Sequence, residues 1–243
     1  MSNRDRRPSF GRDSIWLASA DVVAVLLAFV GQLILARALL SESYGLFVIA
    51  IDLFATLFLL LDLGLPTLLA RDGPRKPSAI WSGMMRIYRL QGIVVLIFVP
   101  ISVSITLMQS VHDTLMLIGA GVALVHIASY APRTALRAAG DARFESLTKV
   151  IERIATTAGY GILFLINSTD VVAYASVFLV GAILGLSIAL VGAYRVCAKS
   201  GERTTSSELG ADWINKKSIL LAALPFAICL LYTSPSPRDY PGS

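Results

Sequence analysis

The feature that most limits what this chain can fold into is its succession of long, nearly uncharged apolar runs. Ile15–Leu40, Tyr44–Ala70, Gln91–Met108, Leu115–Ala131, Val150–Ile166 and Val171–Tyr194 follow one another, and another begins at Ser218. About 20 apolar residues in a helix cross the ~30 Å hydrocarbon layer. In lipid every backbone N–H and C=O must be bonded internally, which leaves only helices and closed barrels. Barrel strands would be roughly ten residues long and alternate in polarity; these runs do neither. The expected fold class is therefore all-α: a polytopic transmembrane helix bundle, with six complete helices and the start of a seventh. Composition agrees. The chain is 56% hydrophobic and 15% charged, with mean hydropathy +0.71, whereas a soluble domain carries about 25% charged residues.

The first run is too long for the ~7–15-residue core of a signal peptide and ends in no small-x-small cleavage site. It reads as a retained first helix behind a basic tail, residues 1–14. Glu152 and Arg153 interrupt the start of the fifth run, so its helix should begin near Phe144, outside the hydrocarbon. All of the 21 basic residues except Arg37 and Arg238 fall in the tail and in the connections after the second, fourth and sixth runs. Cytoplasmic loops are enriched in Lys and Arg, so the N-terminus is expected in the cytoplasm. That rule accounts for the net charge of +5 without nucleic acid, and no basic stretch carries the interleaved aromatics of a single-strand groove. Cys197 and Cys229 imply neither a disulfide framework nor a metal site.

The outer connections are short, so runs one and two, three and four, and five and six should form tight antiparallel hairpins. WSGMMRIYRL (Trp81–Leu90) fits two readings equally: an interfacial helix on the inner leaflet, or a basic extension of the third span. Gly181 and Gly185 form a GxxxG, and Gly119–Gly121 and Gly159–Gly161 lie in the fourth and fifth spans. Such residues let helices approach closely.

Ionisable groups in hydrocarbon are costly and face a bundle interior or a watery cavity. Asp21 lies about 9 Å into the first span. Gln32, eleven positions on, shares its face with Val25 and Ala28, and that face should point inward. Arg37 either snorkels to the interface or contacts an anion at a cavity rim, since a guanidinium suits phosphate. Asp52, about 12 Å into the second span, is either a structural hydrogen-bond partner or a protonatable, ion-coupling carboxylate. Asp62 reads as structural. His126 reads as a hydrogen-bonded bundle residue, because no second His, Cys or carboxylate sits three or four positions away. The chain has no GxxxxGK[ST] loop, no HExxH and no GxSxG, so no enzyme, catalytic residue, metal or cofactor is expected.

Two stretches carry a resemblance. LARALLSESYGLFVIA (Leu35–Ala50) and LLDLGLPTLLAR (Leu60–Arg71) resemble the N-terminal signature of the polysaccharide-export flippases. These are the Wzx type within the multidrug/oligosaccharidyl-lipid/polysaccharide exporter superfamily, with an LAR.L....YG.F hairpin and then D.GL......R. PRTALRAAGDARFES (Pro132–Ser146) is similar to the family's loop after the fourth span, and AALPFAI (Ala222–Ile228) to the start of its second bundle. The resemblance spans residues 15–228. It implies one lobe of a two-lobed exporter that moves undecaprenyl-diphosphate-linked oligosaccharide from the inner to the outer leaflet by alternating access, without ATP. It also implies the bacterial inner membrane, with lipid-linked oligosaccharide and membrane lipids as partners, and a polysaccharide polymerase and other assembly proteins beside them. On that reading Arg37 and Gln32 would bind substrate, Asp21 and Asp52 would couple to an ion gradient, and Gly45, Asp62 and Gly64 would shape the hairpin. The alternatives are a drug/cation antiporter or peptidoglycan-precursor flippase of the same superfamily, or a non-transporting scaffold. A membrane-embedded transferase fits less well, since His126 is isolated.

The organisation expected is a tail at 1–14, a six-helix lobe at 15–194, a linker at 195–217 and the start of a seventh helix at 218–228. The final stretch, 229–243, breaks an apolar helix with Pro-Ser-Pro-Arg-Asp. Its CLLYTSPSPRD reads as one frame of a transposase sequencing adapter, so these residues are expected not to be native.

Overall fold

The computed structural model describes residues 10–61, 65–108 and 113–198. Among these there are α1 (Phe10–Ala38), α2 (Ser41–Leu61), α3 (Leu65–Asp72), α4 (Ile80–Met108), α5 (Asp113–Ala138), α6 (Ala142–Leu165) and α7 (Val171–Ala193). Two single-turn 3-10 helices join α3 to α4, and a π-helical turn, Tyr194–Ala198, extends α7. No strand occurs among the described residues. The expected first, third, fourth, fifth and sixth spans each coincide with a helix, whereas the second, Tyr44–Ala70, covers both α2 and α3, and the fold is all-α. Three helical stretches, Ile15–Ala38, Thr114–Ala138 and Val171–Cys197, are by length and composition long and apolar enough to cross a membrane. The first residues of the expected linker, 195–198, instead continue α7 as the π-helical turn; the seventh span, the rest of the linker, the tail with Cys229, and the hairpin residues Asp62 and Gly64 lie outside the described residues.

The turns follow from local chemistry. α5 ends in a Schellman motif: Gly140 takes φ +83°, and the Asp141 N–H donates to the Leu136 carbonyl at 2.9 Å. Only glycine adopts that left-handed backbone freely. Asp141 then caps α6 by accepting from the Phe144 N–H at 3.2 Å. α6 closes the same way on Asn167, at φ +54°, and Asp170 caps α7 through the Val172 N–H at 2.9 Å. So α6 begins at Ala142, close to where the charges at its start predict. Its charged first turns, and the last turns of α5, are helical rather than loop, which puts Arg133, Arg137, Lys149 and Arg153 on rigid elements.

Trp81–Leu90 is the N-terminal part of a continuous α4, so the extension of the span is the form adopted. The short amphipathic helix is α3 instead. It buries Leu65, Pro66, Leu68 and Leu69 against α4 and α5. Its last residues form a surface ion pair, and the hydrogen bond from Arg71 holds the Asp72 carboxyl below the usual carboxylate range.

The core has two apolar clusters. One joins Leu35, Phe47, Phe54, Leu115, Tyr174 and Phe178 at the α1–α2 turn and the start of α5 and α7. The other joins Leu65, Leu69, Ile80, Met84, Leu136 and Cys197 at the opposite end. Pro132 sits inside α5. A proline cannot donate to the carbonyl four residues back, and that carbonyl, Ala128, accepts instead from the Tyr88 hydroxyl of α4 at 2.6 Å. The outward surface is apolar, with Leu96 and Leu165 at 75% and 79% exposure, as suits lipid rather than water.

The first expected hairpin does not close. α1 and α2 are joined by two residues yet hardly touch. α1 lies along α6, and α2 packs on α5. Each helix carries its own matching surface. In α1, Ala28 and Gly31 face Thr157 and Tyr160, and the Thr157 hydroxyl donates to the Leu27 carbonyl at 3.0 Å. In α2, the Ala50 backbone meets Gly119 of α5 so closely that a Cβ there would collide with the Ala50 carbonyl. The hairpins α4–α5 and α6–α7 do pack as pairs.

Candidate functional site

The splaying of α1 from α2 opens a cleft of about 170 Å³ floored by α6 and α7. Its polar wall is Gln32 of α1, Asp52 of α2, and Arg153, Thr157 and Tyr160 of α6, with Phe178 of α7 below. A second hollow of about 330 Å³ continues along α1, bordered by Asp21, Val25, Lys149 and Glu152. Ala28 and Arg153 border both, so the two form one groove along a single face of α1. That is the face expected to carry Asp21, Val25, Ala28 and Gln32.

The expected site residues separate within this frame. Gln32 accepts from the Tyr44 hydroxyl at 3.0 Å, which ties the groove to the α1–α2 turn. Asp21 is bridged by Lys149 of α6 at 3.0 Å. Asp52 is exposed in the cleft and has no ion-pair partner among the described residues. Arg37 occupies the last turn of α1, exposed, and about 140° around the helix from Gln32. It is not among the residues lining the groove. Gly45 lies in the first turn of α2.

The cation that lines the cleft is Arg153. Its guanidinium lies 5.8 Å over the Phe178 ring, a cation–π placement. No carboxylate within 4 Å pairs with it among the described residues. The same ring meets His126 edge-on at 5.6 Å. His126 in turn contacts Glu152 at 3.2 Å, and the other Glu152 oxygen is ion-paired with Arg133. This triad, with Glu152 buried and Arg133 and His126 partly so, lies between the two apolar clusters. His126 is thus the bundle residue its isolation in sequence suggested.

α7 approaches the triad only because of its glycines. A Cβ on Gly185 would collide with the Glu152 carboxylate, and one on Gly181 with the Thr156 hydroxyl. The four-residue spacing of the GxxxG matches the four-residue spacing of Glu152 and Thr156. In the sequence Arg133, Glu152 and Arg153 read only as interruptions or loop charges. The signal that could have found them is this matched spacing, together with charges that fall inside a helix rather than before it. No group of three or more metal-ligating side chains occurs among the described residues.

An apolar helical shell around one polar groove, with exposed leucines outside and a polar triad beneath, is a helical membrane protein. The chain belongs to the polysaccharide biosynthesis protein family, whose model matches residues 10–213. No curated protein and no solved structure matches it.

Proposed function

We propose that this protein is a lobe of an exporter that flips undecaprenyl-diphosphate-linked oligosaccharide from the inner to the outer leaflet of a bacterial inner membrane. It acts by ATP-independent alternating access. The observation that carries the reading is the groove along α1 in a member of a polysaccharide biosynthesis family. It is open, polar, and holds an uncommitted cation and an uncommitted carboxylate. A diphosphate crossing low dielectric needs fixed compensating charge, and a guanidinium suits phosphate geometry. On this reading Gln32 and Arg153 would contact the headgroup within the groove, and Arg37, which does not line it, would meet an anion from outside at the rim. Asp52 and Asp21 are the carboxylates through which an ion gradient would act. The N-terminus lies in the cytoplasm on this reading, by the bias of basic residues. A polymerase and other assembly proteins would take the product.

The free Asp52 also favours a second reading, a drug/cation antiporter of the same superfamily, in which the carboxylate meets a cationic substrate. The deciding experiment is restoration of surface polysaccharide in a host lacking its own flippase, using the full-length gene from the source organism. Gln32→Ala, Asp52→Asn and Arg37→Ala should each reduce surface polysaccharide, with transport of cationic dyes unchanged. Polysaccharide unaffected by all three substitutions overturns the assignment, and dye efflux that depends on Asp52 transfers it to the antiporter.

A further inference from the structure

The cleft sets two opposite, unpaired charges against one another. Arg153 rises from α6 and is braced on Phe178; Asp52 descends from α2 and has no ion-pair partner among the described residues. Both stand about 16 Å along their helices, eleven residues from the first residue of each. α6 starts at the end of the bundle where α2 finishes, so the two side chains lie at similar height on facing walls. Gln32, held by Tyr44, and Thr157 add neutral polar groups between them. A ligand filling this space must offer an anionic group to one wall and something other than an anion to the other.

We propose that the cleft is a charge-sorting site. Arg153 takes a phosphate ester, and Asp52 takes hydroxyls or an ammonium of the adjoining sugar. The site therefore accepts a neutral or amino sugar next to phosphate and rejects an acidic one. This rests on the transport reading only for the ligand's chemistry. The sorting itself follows from the two charges. A carboxylate accepts hydrogen bonds from sugar hydroxyls and donates none. A uronate brought against it leaves two like charges together, which interfaces use to exclude wrong partners. Arg153 is suited to the phosphate because no carboxylate among the described residues pairs with it, and it stacks over the Phe178 ring.

The test uses the full chain purified in mild detergent at low salt, since screening weakens exposed charge pairs. The probes are glucose 1-phosphate and glucuronic acid 1-phosphate, with affinity read by calorimetry. The wild type should prefer the neutral sugar phosphate by on the order of tenfold, the cost of a like-charge contact being reduced by water in the open cleft. Asp52→Asn, nearly isosteric, should erase that preference. Arg153→Gln should weaken both probes alike, by about tenfold or more, and Arg153→Lys should recover part of the loss because it keeps the charge but not the fork. The proposal is overturned if neither probe binds the wild type, if the preference survives Asp52→Asn, or if Arg153→Gln binds both probes as the wild type does. Monodisperse elution of each variant separates these outcomes from misfolding. Polysaccharide export is scored separately. Export without an Asp52-dependent preference sinks the site and leaves the function; the expected preference without export does the reverse.

Discussion

Replacing Glu152 by Leu tests the physical account of the bundle most directly. The Glu152 side chain is 3% exposed, Arg133 12% and His126 25%, so the substitution strands a guanidinium whose Nε already lacks a partner. Two magnitudes compete. Breaking a buried ion pair by removing one member costs about 3–5 kcal/mol in soluble proteins. Interhelical polar contacts in membranes average only ~0.6 kcal/mol, with a maximum near ~1.7, because the unfolded chain in lipid also finds partners. Arg133 borders the groove, where water lowers the penalty, yet its charge cannot be neutralised. The loss expected is therefore about 2–3 kcal/mol, between those bounds. At roughly 2–4 °C per kcal/mol for a chain of this size, the midpoint should fall by about 4–12 °C.

The assay is thermal stability of the full chain in detergent, followed by size-exclusion elution. Glu152→Gln, which keeps the shape without the charge, should fall between wild type and Glu152→Leu. Arg133→Met combined with Glu152→Leu should recover most of the loss, since replacing a buried pair by apolar residues of similar volume is near neutral. A shift under ~2 °C for Glu152→Leu, or strict additivity in the double variant, would refute the reasoning.

Four further outcomes follow from the same structure. Tyr88→Phe should cost about 1 kcal/mol or more, by stranding the Ala128 carbonyl that Pro132 leaves free; in a Pro132→Ala background that cost should shrink, and thermal shifts of the four variants check it. Gly185→Ala should destabilise by about 1–3 kcal/mol, since its Cβ meets a carboxylate pinned on both oxygens, and the same thermal assay reads it. Gly31→Cys with Thr157→Cys should cross-link under mild oxidation, because a Cβ at Gly31 lies 3.6 Å from the Thr157 Oγ1, within reach of disulfide geometry. Gly31→Cys with Ile51→Cys, across the open cleft, should not; gel mobility decides between the two pairings. The lowered Asp72 carboxyl adds a small stability that is present above its unfolded pKa and lost as pH falls through the folded one, so Asp72→Asn should flatten the acid limb of a pH–stability profile.

Much of this protein is legible in its sequence because its constraints are local. Apolar runs of spanning length dictate helices wherever backbone groups cannot reach water, and α1, α2, α4, α5, α6 and α7 fall where those runs lie. Gly140 and Asp141 place the α5–α6 turn by backbone conformation and capping, which neighbours in sequence settle alone. The shared face of Asp21 and Gln32 follows from 100° per residue.

Partnership is different. The two residues joining α1 to α2 suggest a hairpin, but whether they pack depends on surfaces far away in sequence. Thr157 and Tyr160 draw α1 to α6, and Gly119 draws α2 to α5. Helix periodicity gives Arg37 and Gln32 directions on their own helix and says nothing of what stands opposite, so only the tertiary arrangement could put Arg153 in the cleft. It alone also converts Arg133, Glu152 and His126 from scattered charges into a triad. A helix is specified by bonds within it. A groove exists only in the space between helices, and that space is set by which side chains can interlock.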